Sequence, residues 1–195
     1  SEGNVLYANG PFGSREVVME TVPDSASDYD GGWNKGITGL DINKIHMSIV
    51  YVRRTTSQAS GNFYHGTGAS ANQIVNIADG TQNNNPYFIA TGVSILPQDV
   101  WCVSIGFIQA NNDSGTSSVY PTSGLYRLDT GQRLAGATNY KFGSAGATLG
   151  TGHRTFLYYS TDNATKLQFA RPGFYECNGD EPTFQELVGR TAALL

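Results

Sequence analysis

The chain has 195 residues, of which only 14% are charged, with 12 Lys and Arg set against 16 Asp and Glu for a formal net charge of −4. That mildly acidic balance disfavours nucleic acid and anionic membrane as partners, since their phosphates recruit clustered Lys and Arg, and no apolar run is long enough to insert across a bilayer. The 24 glycines, with abundant Ser, Thr and Asn, suit the turns of β structure and suit helices poorly.

The length fits one domain, 1–195, able to bury roughly 70% of the surface its unfolded chain exposes. Residues 1–14 read as a lead-in; "SEGNVLYANG" has no basic region followed by an apolar one, which leaves export as a processed product open. A first strand is expected over Arg15–Val22. "SDYDGG" places Asp28 and Asp30 among turn residues, where carboxylates are normally solvated. In "KIHMSIVYVRR", Ile45, Met47, Ile49 and Tyr51 alternate with His46, Ser48, Val50 and Val52, the two-residue period of a strand.

Next comes "GNFYHG", where a strand over Gly61–Gly66 puts Phe63 and His65 on one face and Tyr64 on the other. Neighbours on opposite faces cannot serve one proton together without a bulge. Three roles stay open for this stretch: His65 as a hydrogen-bonded polar residue, Tyr64 or His65 as part of a ligand surface, and both as catalysts beside Arg53 or Arg54.

Further strands are expected at Gln73–Ile77 and Tyr87–Gly92, then in "VWCVSIGFIQ", where Trp101, Val103, Ile105 and Phe107 alternate with Cys102, Ser104, Gly106 and Ile108. Gly124–Leu128, Thr155–Ser160 and Lys166–Arg171 complete the set. The stretches "TQNNNP", "ANNDSGTSS", "DTGQ" and "FGSAGATLGTG" read as loops between them. Near the end, Thr183 and Glu186 have capping-box spacing between Pro182 and Gly189, which predicts a short helix over Phe184–Val188. Its Phe184 and Leu187 should rest on the sandwich or on a neighbouring chain. Many strands with one short C-terminal helix indicate an all-β fold, an antiparallel two-sheet sandwich of jelly-roll type.

Signals for chemistry are sparse. The three histidines, His46, His65 and His153, form no zinc motif, and neither a nucleophile elbow nor a phosphate-binding loop occurs. Cys102 and Cys177 are too few for a disulfide framework and read as two unpaired, partly buried thiols. The pairs Asp28 and Asp30, or Glu176 with Asp180 and Glu181, are the candidates for a glycosidase dyad. Asp28 and Asp30, or Asn112 and Asp113, carry oxygens of the kind Ca²⁺ takes, without the spacing of an EF-hand loop. No cofactor is otherwise expected.

The order of blocks carries a further signal. "DGGWNKGITGLDINKIHMSIVYVRR", "SGNFYHGTG", "NNNPYFIATGVSILPQDVWCVSIGFI", "SGLYRLDTGQRL" and "HRTFLYYSTDNATKLQFARPGFYECNGDEPTFQEL" follow one another. This order resembles a module near the C-terminal end of phage and prophage tail-fibre or tailspike proteins, over roughly residues 30–188. One departure lies at Tyr175–Glu176–Cys177, where the family pattern has Asp after an aliphatic residue. The resemblance implies a jelly-roll-like β-sandwich without catalysis, probing the host from a virion tail appendage as a homotrimer. It supplies no catalytic residues.

Surface glycans are held by aromatic faces and by amide or carboxylate hydrogen bonds. Tyr64, His65, Asn111, Asn112, Asp113, Tyr120 and Tyr126 are the candidate ligand-binding residues on that basis, with Asn139 and Tyr140 of similar type. The expectation is therefore a non-enzymatic receptor-binding module for bacterial surface saccharide. A trimerisation cap of a fibre and a carbohydrate-binding module of a polysaccharide-degrading enzyme are the alternatives, with a Tyr64/His65 lyase or hydrolase behind them.

Overall fold

Alternation along the chain sends successive strands to two layers, and the pairing follows from it. The structure, a computed structural model, describes residues 2–24, 26–68, 74–113, 122–143 and 151–189. In chain order the strands are β1 (Gly3–Asn9), β2 (Arg15–Thr21), β3 (Tyr29–Ile37), β4 (His46–Arg54), β5 (Asn62–Gly68), β6 (Ile74–Asn76) and β7 (Tyr87–Gly92). They continue as β8 (Cys102–Gln109), β9 (Gly124–Arg127), β10 (Arg133–Ala135), β11 (Tyr140–Phe142), β12 (Thr151–Tyr158) and β13 (Leu167–Glu176), before the helix α1 (Phe184–Leu187).

One sheet has nine strands, in the order β1-β2-β13-β4-β8-β11-β6, with β9 and β10 paired beyond β8; the other has four, β3-β12-β5-β7. Within them β2-β13-β4-β8 face β3-β12-β5-β7, and the chain crosses between layers at β2–β3, β3–β4, β4–β5, β5–β6, β6–β7, β7–β8, β11–β12 and β12–β13. This double Greek-key path is the jelly roll that the strand pattern predicted. Among the described strand pairs only the short β11–β8 contact is parallel, beside an isolated parallel bridge between Arg54 and Gln98.

Sequence and structure part at several places, among them the unexpected short strands β10 and β11. The lead-in is a strand, because β1 pairs with β2 in register from Gly3 opposite Thr21 to Asn9 opposite Arg15. β3 forms where Asp and Gly suggested a turn; a Cβ at Gly32, whose φ is +140°, would lie 2.0 Å from the carbonyl oxygen of Thr155 on β12. Only glycine permits that approach. β13 runs on through Pro172, since a bulge between Ala170 and Gly173, with Arg171 at φ +46°, takes the proline out of the hydrogen-bond ladder.

Both faces of the larger sheet are covered. Val50, Val52, Cys102, Leu125, Leu167 and Phe169 meet Phe63, Ile89 and Leu157 between the layers. Met47, Ile49, Tyr51, Trp101, Val103 and Phe107 form a second core on the opposite face. There α1 seals the surface: Leu187 is buried, Phe184 packs edge-on to Tyr126 at 4.9 Å, and the Tyr51 hydroxyl donates to the Leu187 carbonyl at 2.8 Å. The capping box is formed as expected, the Thr183 hydroxyl accepting from the Glu186 N–H and the Glu186 carboxylate accepting from the Thr183 N–H. Cys102 and Cys177 are both free, and burial raises each thiol to about 12, so neither is a reactive thiolate.

Candidate functional site

The structure separates Tyr64 from His65. His65 points inward from β5 and has no exposed surface. Its Nδ1 lies 2.7 Å from the Ser104 hydroxyl and its Nε2 lies 3.0 Å from the Ser48 hydroxyl, so the ring bridges β4 and β8 of the opposite layer. His153 of β12 packs beside it at 5.2 Å. Trp33 donates through Nε1 to His153 Nδ1 at 3.0 Å, which leaves Nε2 protonated and donating to the Ile49 carbonyl at 2.7 Å. Burial holds both imidazoles below their ordinary value, His65 well below it. His65 is therefore withdrawn as a ligand contact: no atom of it reaches the surface, and both of its ring nitrogens are engaged.

Tyr64 faces the other way, onto the outer surface of the smaller sheet. Its ring centre lies 4.7 Å from that of Tyr87, 6.1 Å from Tyr158 and 6.4 Å from Tyr159. Tyr29 extends the cluster, 5.3 Å from Phe156 and 5.6 Å from Tyr158. Strand periodicity places Arg154, Phe156 and Tyr158 of β12 on this face, and pairing sets Phe156 opposite Tyr64. Tyr159 should point away from its neighbour, yet its φ of +61° turns its ring to the same side, 48% exposed and 5.0 Å from Tyr158. A left-handed backbone at a bulky residue costs energy. Two bonds hold it: the Tyr159 N–H donates to the Asp28 carbonyl at 2.7 Å, and the Ser160 N–H donates to the Asp30 carboxylate at 2.8 Å.

Glycines pave the rest of the face. The Tyr87 ring lies against Gly66, where a Cβ would fall 2.8 Å from it, and the Phe156 ring lies against Gly32 at the same separation. Gly36 opens onto free space. The result is a broad ring surface beside a shallow floor, edged by the amides of Asn34, Asn62 and Asn85. Burial raises the phenols of Tyr29, Tyr64 and Tyr158, so each stays protonated near neutral pH and can both donate and accept hydrogen bonds.

The other sequence candidates lie elsewhere. Tyr126 is buried under Phe184 in the core of the larger sheet, which corrects its reading as a ligand contact. Tyr140 is buried too, donating to the Tyr87 carbonyl at 3.1 Å. Asn111, Asn112 and Asp113 form the loop after β8, where the Asn111 N–H donates to the Ile42 carbonyl and Lys141 donates to the Asp113 carbonyl. Tyr120 lies outside the described residues. Asp30 is buried in β3 rather than solvated in a turn, and burial raises its carboxyl to about 6. Among the described residues no group of three or more His, Cys, Asp or Glu gathers as metal ligands do.

Sequence reasoning found Tyr64 but missed Tyr29, Tyr87, Tyr158 and Tyr159. The alternation Arg154-x-Phe156-x-Tyr158 was the available signal; that Tyr87 and Tyr29 stand beside it depends on pairing between strands far apart in the chain. No family model matches the chain, and no curated protein or solved structure matches it either. Function is accordingly read from the geometry of this face.

Proposed function

We propose that this chain is a non-enzymatic saccharide-binding module that uses the tyrosine face of its smaller sheet, acting as the receptor-binding part of a phage or prophage tail fibre or tailspike. The observation that carries the binding role is the cluster of Tyr29, Tyr64, Tyr87, Tyr158 and Tyr159 on one outer surface. Ring faces stack on sugar C–H groups while phenols and amides exchange hydrogen bonds with hydroxyls. Engagement of His65 within the core supports adsorption over cleavage. The setting in a tail appendage rests on the order of sequence blocks alone. A homotrimer would present three copies of one weak site and raise avidity without new contacts.

An array of bacterial surface polysaccharides, probed with the wild type and with Tyr64→Ala and Tyr158→Ala, tests the reading. Loss of one stacking ring should weaken binding about tenfold. Signals that survive both substitutions unchanged would place the site somewhere else.

A second reading, a fibre cap that binds nothing, is favoured by a different surface. On the β1–β2 hairpin Val5, Tyr7 and Val17 are 76%, 62% and 65% exposed. Val17 also lines a shallow, mainly apolar groove with Met19, Trp33, Phe169 and Pro172, flanked by Lys35 and Arg171. Light scattering across a concentration series distinguishes the two: a tight trimer with a blank array is the cap's signature.

A further inference from the structure

The tyrosine face carries one positive charge with no acid opposite it. Arg154 projects from β12 with its guanidinium carbon 5.5 Å from the centre of the Tyr87 ring and 5.6 Å from that of Phe156. Its Nη1 donates to the Asn85 side-chain carbonyl, a neutral partner, and its Nε is enclosed without an acceptor. The ion pairs among the described residues are Arg127–Asp129, Lys166–Glu20 and Arg171–Glu16, and Arg154 belongs to none of them. Its stem crosses Gly68, where a Cβ would sit 3.4 Å from the Arg154 Cδ, so small residues leave the approach to this side chain open.

Two acids stand near the other tyrosines. The Tyr158 phenol lies in the field of Asp28, and the Tyr29 phenol in that of Glu2. With a strand rise of about 3.4 Å per residue, Arg154 and Tyr158 stand about 14 Å apart along β12. The side chains are closer than the backbone: the Arg154 guanidinium lies 5.6 Å from the Phe156 ring, whose centre is 5.7 Å from that of Tyr158.

We infer that this face selects saccharides bearing a carboxylate, of the uronic-acid type, with Arg154 taking the carboxylate while the tyrosines stack on the sugar rings. The inference rests on the binding role proposed above. A planar guanidinium matches a carboxylate in a two-point fork and shares its single charge. A phosphate monoester would leave its second charge unmet by one arginine. Desolvation against the rings of Tyr87 and Phe156 strengthens the attraction relative to a lysine on an open surface.

The experiment uses the whole chain on an array of uronate-bearing bacterial polysaccharides printed beside their carboxyl-reduced counterparts, with a sulfated glycan as a further arm. The expected result is signal on a uronate polymer that falls at least about tenfold on its reduced form and weakens as salt rises. Arg154→Gln should remove that difference, and Arg154→Lys should restore part of it. Equal signal on both forms, preference for the reduced or sulfated glycan, or an undiminished preference in Arg154→Gln would overturn the inference while the binding role stands. A blank array throughout would remove the binding role and the inference with it.

Discussion

Acidification through the histidine range should destabilise this protein. His46, His65 and His153 are all buried, and burial lowers each below the ordinary value of 6.5. An unfolded chain takes up protons on these rings as pH falls through 6.5, while the folded chain does not, so stability is lost on the acid side. At pH 5.5 each histidine that stays neutral in the fold costs about 1.4 kcal/mol relative to neutral pH. His65, bridging Ser48 and Ser104 with no exposed surface, should show the whole effect.

Asp30 works in the opposite sense. Its carboxyl is raised to about 6, so the folded state gains a proton before the unfolded one does and recovers about 1 kcal/mol over the same interval. The net loss from pH 7.5 to 5.5 is about 1–3 kcal/mol, a drop in Tm on the order of 5 °C for a chain of this size. Asp129, whose carboxyl the Arg127 hydrogen bonds hold below its ordinary value, stays ionised over this interval and does not obscure it. Calorimetric melts at the two pH values, on the wild type and on His65→Gln, make the measurement. The variant should be less stable at pH 7.5 and lose less on acidification. An unchanged or rising Tm in the wild type at pH 5.5 would refute the reasoning.

Two further changes probe the interior directly. At Gly106 a Cβ would fall 2.1 Å from the Phe88 ring, so Gly106→Ala should cost about 3 kcal/mol in urea unfolding, and Phe88→Leu in the same chain should recover part of it. Additive losses in the double variant would count against a steric cause. Asp30→Asn keeps an acceptor for the Ser160 N–H and removes a buried charge, so it should stabilise the protein by about 1–2 kcal/mol at pH 7.5 and enlarge the acid-induced loss by about 1 kcal/mol. Destabilisation at pH 7.5 would mean that the ionised form is held by partners stronger than this one bond.

Local pattern carried a good part of the fold. The alternation at Ile45–Val52 and Trp101–Ile108 marks β4 and β8, which lie side by side in the larger sheet with Ile49 opposite Ile105. Thr183 and Glu186 announce α1 because a capping box is made by residues three apart. Period and capping are short-range physics, written in neighbouring residues.

The site was another matter. Tyr64 and His65 are adjacent and chemically tempting together, yet pleating sends one outward and the other into a serine-lined slot between layers. The slot exists because Ser48 and Ser104 arrive from two strands of the opposite sheet, a meeting no local pattern encodes. The same holds for Tyr29, Tyr87 and Tyr158, brought to one face by the pairing of β3, β12, β5 and β7. The amino-acid sequence by itself determined two layers, their turns and the closing helix, because each depends on side-chain period and local hydrogen bonds. Only the tertiary structure decided which aromatics share a surface, since strand order and bulges are settled by packing between segments remote in the chain.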